Sequence, residues 1–270
     1  DLGLERVSAV AQAMHLVPTP MPTLTVAGTN GKGSVVAVLS SVLLAGGLRV
    51  GSYTSPHLVS FNERVCVNGS PVSDQDLLAA FNAIEAARGD ISLTYFEVAT
   101  LAALWIFREH KVDVQVLEVG LGGRLDAVNI IDADLTIITS IGLDHMDWLG
   151  DDRGLIAVEK AGVARPGRPC VVAEHDPPAS LRRRLDDIGA QVSWISEDWI
   201  LESPHVVTSS GSRYSLPESE GLLPQNVGAA VEALELSEVI SLTQSLLDAT
   251  NRIGVPGRLS RHQYQNVDVL

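Results

Sequence analysis

Hydrophobic and polar positions alternate in two registers along this chain. Short apolar runs at 24–27, 49–53, 63–67, 112–119, 135–140, 169–173 and 191–195 read as strands. Between them, apolar residues recur at helical spacing over 2–16, 35–44, 73–88, 95–110, 154–163 and 179–188; Leu4, Val7, Val10, Ala11 and Met14 mark the first of these faces. Pro18, Pro20 and Pro22 end that helix, Gly46-Gly47 stop the second, and Asn68-Gly69 predict a tight turn after a strand. Ser73, with Asp74 and Asp76 behind it, predicts a helix start, and Thr94 with Glu97 has capping-box spacing.

Strands alternating with helices predict an α/β fold, a mostly parallel sheet covered by helices on both faces with right-handed crossovers. The stretch 197–216 is shorter in period and more polar, and predicts a small antiparallel excursion. Helices follow at 224–240 and 242–249, and 254–258 reads as a linker before a new alternating segment. One domain is therefore expected over 1–253, with 254–270 as a hinge and the start of another. Asp1 is not a start methionine, so a longer natural N-terminus is expected, and an ending in a strand predicts a following domain.

The strand at 24–27 runs into Gly28-Thr29-Asn30-Gly31-Lys32-Gly33-Ser34 and then into a helix. That order suits a phosphate loop. Glycines let the backbone approach an anion, and the helix start offers free N–H groups and its positive dipole end. Lys32 supplies a mobile positive charge for a β- or γ-phosphate, and Ser34 a hydroxyl for a magnesium ion. The match to G-x-x-x-x-G-K-[ST] is imperfect, because the first glycine lies too close and Gly33 separates Lys32 from Ser34. A glycine-rich turn with a chance lysine is the plainer alternative.

Composition narrows the function. With 46% hydrophobic and 19% charged residues, the 270-residue chain can bury a substantial core. A formal net charge of −14 argues against a nucleic-acid surface. Cys66 and Cys170 form no C-x-x-C pair and read as inert thiols in a reducing cytosol. No apolar run is long enough to span a bilayer, so no membrane partner is expected, and neither is an oligomer.

Ligands of open parallel sheets sit beyond the C-terminal ends of the strands, where Glu118 and Asp144-His145 also fall. Glu118, closing an apolar run, is a magnesium ligand or a salt-bridged edge residue. His145, between two aspartates, is open to metal binding or acid–base work, although magnesium prefers oxygen ligands. Lys160 beside Glu159 reads alone as a surface pair, Ser55 as a loop hydroxyl, and Glu97 as the partner of the Thr94 cap.

Taken together, these blocks resemble folylpolyglutamate synthase/dihydrofolate synthase, a branch of the Mur ligase family. The resemblance rests on 28–34, Tyr53-Thr54-Ser55-Pro56-His57-Leu58, Glu63-Arg64-Val65, 117–126, Leu143-Asp144-His145, Glu159-Lys160-Ala161-Gly162, Asn226 and Pro256-Gly257-Arg258, in family order. It implies the P-loop central-domain fold of Mur ligases and accounts for the unusual loop, since that family uses G-T-N-G-K-G-[ST]. It implies that Thr29, Asn30, Gly31, Lys32, Gly33 and Ser34 hold the phosphates of ATP. Ser55, Glu118 and His145 would bind Mg2+, and Lys160 would match a lysine that is carbamylated, a step that an exposed lysine supports poorly. Lys32, Lys160 and His145 would serve catalysis; Asn226 and Arg258 would contact the nucleotide. Asp1, Leu2, Thr94 and Leu125 match a dihydropteroate-binding region, with Asp126 in the same loop. The implied reaction joins L-glutamate to dihydropteroate or to folates through an acyl phosphate, in the cytoplasm. The family also has a C-terminal Rossmann-like domain that this sequence stops short of. The alternatives are a Mur ligase acting on a UDP-muramoyl peptide, a P-loop ATPase and a non-catalytic nucleotide-binding module; no N-K-x-D element supports a GTPase.

Overall fold

The computed structural model describes residues 3–143, 152–250, 253–255, 262–264 and 267–269. Asp1, Leu2, His145 and Arg258 lie outside them.

An eight-stranded sheet forms the centre. In chain order its strands are β1 (Thr23–Ala27), β2 (Val50–Tyr53), β3 (Val65–Val67), β4 (Ser70–Pro71), β5 (Val114–Glu118), β6 (Leu135–Ile138), β7 (Pro169–Val172) and β8 (Gln191–Trp194). They lie side by side as β4-β3-β2-β5-β1-β6-β7-β8. Every neighbouring pair from β2 to β8 is parallel, while β3 and β4 are antiparallel additions at one edge. The central position of β1, between β5 and β6, brings the loops after three strands to one rim of the sheet.

Alternation along the strands sends side chains to opposite layers. Leu135 and Ile137 of β6 and Val171 of β7 face one core, with α2 (Lys32–Ala45) and α7 (Pro224–Ser237). Ile138, Cys170 and Val172 face the other side, against α5 (Arg153–Ala161) and α6 (Ala179–Ile188). Further along that second face, α1 (Glu5–Ala13), α3 (Asp74–Arg88) and α4 (Tyr95–Glu109) cover Tyr53 and Leu117. Burying each large aliphatic side chain in these layers contributes about 1.5–3 kcal/mol. Helix α2 is apolar nearly all round because it lies against the sheet on one side and α7 on the other.

Helices begin where the capping residues sit. Ser73 accepts the Asp76 N–H and Asp76 accepts the Ser73 N–H; Thr94 and Glu97 make the same reciprocal pair. Asn68 and Gly69 both adopt positive φ, as the two-residue β3–β4 hairpin requires. The expected strand over 63–67 is shorter than its apolar pattern. Phe61–Arg64 forms a 3-10 turn, because the Glu63 carboxylate accepts the N–H groups of Leu58, Val59 and Ser60 and curls the chain around itself. The antiparallel excursion is a separate three-stranded sheet of β9 (Ile200–Glu202), β10 (His205–Val207) and β11 (Arg213–Ser215). It packs its Val206 and the buried Trp199 against α7. Both cysteines are free. Cys170 is buried, which pushes its thiol up to about 12, but Cys66 is only partly covered.

Candidate active site

The loop after β1 holds its shape through glycine. Gly28 has φ 145° and Gly31, which caps α2, has φ 88°, conformations that side chains rarely adopt. A β-carbon on Gly28 would lie 1.8 Å from Thr139 Oγ1, and one on Gly31 would lie 2.4 Å from Asn226 Nδ2. Asn226, in the first turn of α7, is thus packed directly on the loop. Gly33, the glycine foreign to the ordinary P-loop pattern, has a different role. Its missing β-carbon faces Glu118 Oε2, 3.7 Å away, so backbone and carboxylate stand close with nothing between them.

The loop is laced to the chain leaving β6. Ser140 O accepts the Thr29 N–H at 2.7 Å, Ser140 Oγ accepts the Asn30 N–H at 3.1 Å, and Thr139 Oγ1 donates to Asn30 O at 2.7 Å. The Thr29 hydroxyl donates to Gly142 O at 3.2 Å and accepts the Gly142 N–H at 2.9 Å. Ser34 is buried in the first turn of α2.

Two lysines meet at the base of the loop. Lys32 Nζ donates to Gly28 O at 3.0 Å and to Thr29 O at 3.1 Å. Lys160 Nζ donates to the same Gly28 O at 3.0 Å. Lys160 is only 4% exposed, so the surface pair expected with Glu159 is wrong for it. Its neighbour alone reaches outward, to Arg124 at 2.9 Å. Helix α5 is drawn in because Gly123, in the loop after β5, packs on the Glu159 carbonyl and the Lys160 backbone.

Glu118 closes β5 and is 5% exposed. One carboxylate oxygen accepts the Ser55 N–H at 3.1 Å and is the same oxygen that faces Gly33. Sheet order explains this meeting: β5 lies between β1, which leads into the helix start that carries Gly33, and β2, whose following loop carries Ser55. A buried carboxylate that meets the backbone of Ser55 and stands at the start of the phosphate-loop helix supplies the hard oxygen that a magnesium-sized cation takes, and Ser55 carries a hydroxyl of the same kind. Among the described residues, no three His, Cys, Asp or Glu side chains converge as a complete metal shell.

A second cluster lies in the loop after β5. Asp126 is buried, and its carboxylate accepts the N–H groups of Gly120, Leu121 and Val128 at 2.9–3.0 Å. Burial pushes this carboxyl up to about 6, against the opposing pull of those three N–H groups and of Lys32. Gly120 packs against the Phe96 ring, beside the Thr94 cap of α4. Arg6 reaches the Glu97 carboxylate at 3.3 Å and ties α1 to that cap. Leu125 belongs to the same loop, on the approach to Asp126. Nearby, Arg64 Nε donates to His57 Nδ1 at 2.8 Å and lies over the Phe61 and Tyr95 rings.

The structure thus brings together Thr29, Lys32, Ser55, Glu118, Lys160 and Asn226, and separately Thr94 and Asp126. Sequence reading missed the Thr139–Gly142 segment as the partner of the loop. The available signal was its position after the strand that flanks β1, which only the sheet order reveals.

No protein-family model matches the chain. The Escherichia coli dihydrofolate synthase/folylpolyglutamate synthase is 45% identical over 268 residues, covering 96% of this chain and 62% of the relative. The Haemophilus influenzae protein of the same name is 46% identical over 202 residues, covering 75% of this chain and 46% of the relative. The solved structure of E. coli FolC in complex with DHPP and ADP superposes with a TM-score of 0.89 at 43% identity, covering 96% of this chain and 64% of that one. A bifunctional folylpolyglutamate synthase/dihydrofolate synthase with Mn, AMPPNP and L-glutamate bound gives a TM-score of 0.91 at 43% identity, covering 98% and 66%. The chain thus spans less than two thirds of the length of these relatives. Identity at this level along nearly the whole chain, on the same fold, means that the chain belongs to the dihydrofolate synthase/folylpolyglutamate synthase family.

Proposed function

We propose that the full-length protein carrying this chain is an ATP-dependent ligase that joins L-glutamate to dihydropteroate, to the γ-carboxylate of folates, or to both. The observation that carries this reading is the convergence of Lys32, Lys160 and Glu118 on one glycine-rich loop at the rim of the sheet.

In this reading the loop from Thr29 to Ser34 cradles the ATP phosphates, its N–H groups and Lys32 facing the charge that builds as the γ-phosphoryl group shifts. Lys32 leaves the Gly28 and Thr29 carbonyls, within reach of its own flexible stem, to meet that phosphate. Ser55 and Glu118, with His145, would hold Mg2+, which when bound neutralises phosphate charge. Lys160, buried against the Gly28 carbonyl, would carry the carbamate. Asn226 and Arg258 would contact the nucleotide. Asp1, Leu2, Thr94, Leu125 and Asp126 would bind the pteroate end of the acceptor. The acceptor carboxylate attacks the γ-phosphate and ADP leaves; the glutamate amine then displaces phosphate from the acyl phosphate to form the amide. Positioning dominates, because two anions must be held in line.

We also assign residues 1–253 to the ATP-binding unit and 254–270 to the hinge, with a cytoplasmic setting. No described helix is long and apolar enough to cross a membrane.

The test is an assay of the full-length protein with ATP, glutamate and either dihydropteroate or tetrahydrofolate, with mass spectrometry of the product. Glutamate-dependent ADP release that Lys32→Ala abolishes is expected. ATP turnover indifferent to both acceptors would overturn the reading.

A further inference from the structure

The four residues after β6 are fastened one by one, and one of them differs from the rest. Thr139, Ser140 and Gly142 all bond to Thr29 or Asn30 of the phosphate loop. Ile141 instead gives both of its backbone polar groups to an ion pair. Its N–H donates to Glu174 Oε2 at 2.8 Å, and its carbonyl accepts Arg153 Nε at 2.7 Å. The two side chains close the ring at 3.2 Å. The nitrogen that meets Glu174 also donates to the Asp176 carbonyl at 2.7 Å, and the remaining one donates to the Asp176 carboxylate at 3.1 Å.

Position gives this ring its meaning. Arg153 is the first residue of α5, the helix that carries Lys160 about two turns later. Glu174 follows β7, and Ile141 adjoins the Gly142 that holds the Thr29 hydroxyl. An exposed ion pair alone would contribute little. Here, however, the Glu174 side chain is largely covered and both partners also bond to backbone, and such charge-assisted bonds are the stronger kind.

We infer that Arg153 and Glu174 are positioning residues that lock the Ile141–Gly142 segment, and through it Thr29, in register with the Lys160 helix. The inference rests on the ligase reading for its kinetic form. Neither side chain touches the phosphate loop; they act through Ile141. Releasing Ile141 loosens the seat of Thr29 and so weakens nucleotide and metal binding, while Thr94 and Asp126, proposed to meet the acceptor and carried by other elements, are left alone.

The experiment compares Glu174→Ala, Glu174→Gln, Arg153→Met and the Arg153→Met/Glu174→Ala double variant in the full-length protein. Kinetics are combined with calorimetric titration of AMPPNP and Mn2+. Glu174→Ala should raise the ATP KM and the half-saturating metal concentration about tenfold, with the dihydropteroate KM unchanged at saturating ATP. Glu174→Gln, which keeps an oxygen for the Ile141 N–H, should recover part of this. The double variant should lose no more than the worse single one, because all three break one ring. A lowered Tm with unchanged ATP and metal constants would overturn the inference, as would additive losses. If the wild-type protein showed no glutamate-dependent ADP release, the ligase reading would fail, and the AMPPNP titration would still decide the positioning role.

Discussion

Lys32 and Lys160, 128 positions apart in the chain, point their ammonium nitrogens at one acceptor, the Gly28 carbonyl, each from 3.0 Å. The two nitrogens are therefore no further apart than twice that distance. Both lysines are thus placed at the loop where the ligase reading puts an anion met by Lys32 and a carbamate formed on Lys160. In the full-length protein, activity should fall in buffer stripped of CO2 and return on addition of bicarbonate. Lys160→Gln should lose about a hundredfold or more in kcat and show no response to bicarbonate. A fully active Lys160→Gln variant would remove this lysine from the site.

Asp126 gives a signed pH dependence. Its carboxyl has a value of about 6 when folded against 3.8 as a free side chain, because burial disfavours its charge. The folded state therefore binds this proton more tightly than the unfolded chain does. This contribution is greatest at low pH and is lost as pH rises from the free value through about 6, a change of roughly 3 kcal/mol at most. Asp126→Asn cannot ionise. The Tm advantage of wild type over Asp126→Asn should shrink between about pH 5 and about pH 7.5 in melts without nucleotide. A gap that widens with pH would contradict the buried, raised carboxyl.

Gly31 and Asn226 are fitted against each other. A methyl group on Gly31 would sit 2.4–2.8 Å from three Asn226 side-chain atoms, on a backbone with φ 88°. Gly31→Ala should cost roughly 1–3 kcal/mol of stability and displace Asn226, so that AMPPNP binding is lost. Asn226→Ala should keep its fold and lose about tenfold in nucleotide affinity. Calorimetric titration with parallel thermal melts separates the two effects.

The two capping boxes separate stability from function. Ser73 and Thr94 each accept the N–H of the residue three positions on, Asp76 and Glu97. Replacing either by alanine should cost about 1 kcal/mol of stability. Ser73→Ala should leave ligase kinetics unchanged, whereas Thr94→Ala should also raise the dihydropteroate KM. Equal kinetic effects of the two substitutions would place the acceptor elsewhere.

Much of this fold was legible because local signals and tertiary structure agree. The caps at Ser73 and Thr94, the Asn68-Gly69 turn and the apolar strands all follow from residue type at short range. Lys160 was not legible. Nothing near it in sequence distinguishes a surface lysine next to Glu159 from one buried on a carbonyl 132 positions away. Its burial depends on the close approach of Gly123 to α5, a contact between distant elements. Gly33 looked misplaced for the same reason, since its purpose becomes visible only when the sheet order brings Glu118 opposite it. Glu63 misled in the other direction, because its carboxylate gathers three local N–H groups and curls a stretch that its apolar pattern extends.

In the proposed ligase reaction the Gly28–Ser34 loop serves to phosphorylate a carboxylate. The most direct measurement uses dihydropteroate with heavy oxygen in its carboxylate, incubated with the full-length protein, ATP and glutamate. Mass spectrometry of the released phosphate then reports where that oxygen went. Transfer of one heavy oxygen from acceptor to phosphate is the predicted result, absent in Lys32→Ala. Phosphate released with only ordinary oxygen while the amide forms would contradict the acyl-phosphate route and the role given to the loop.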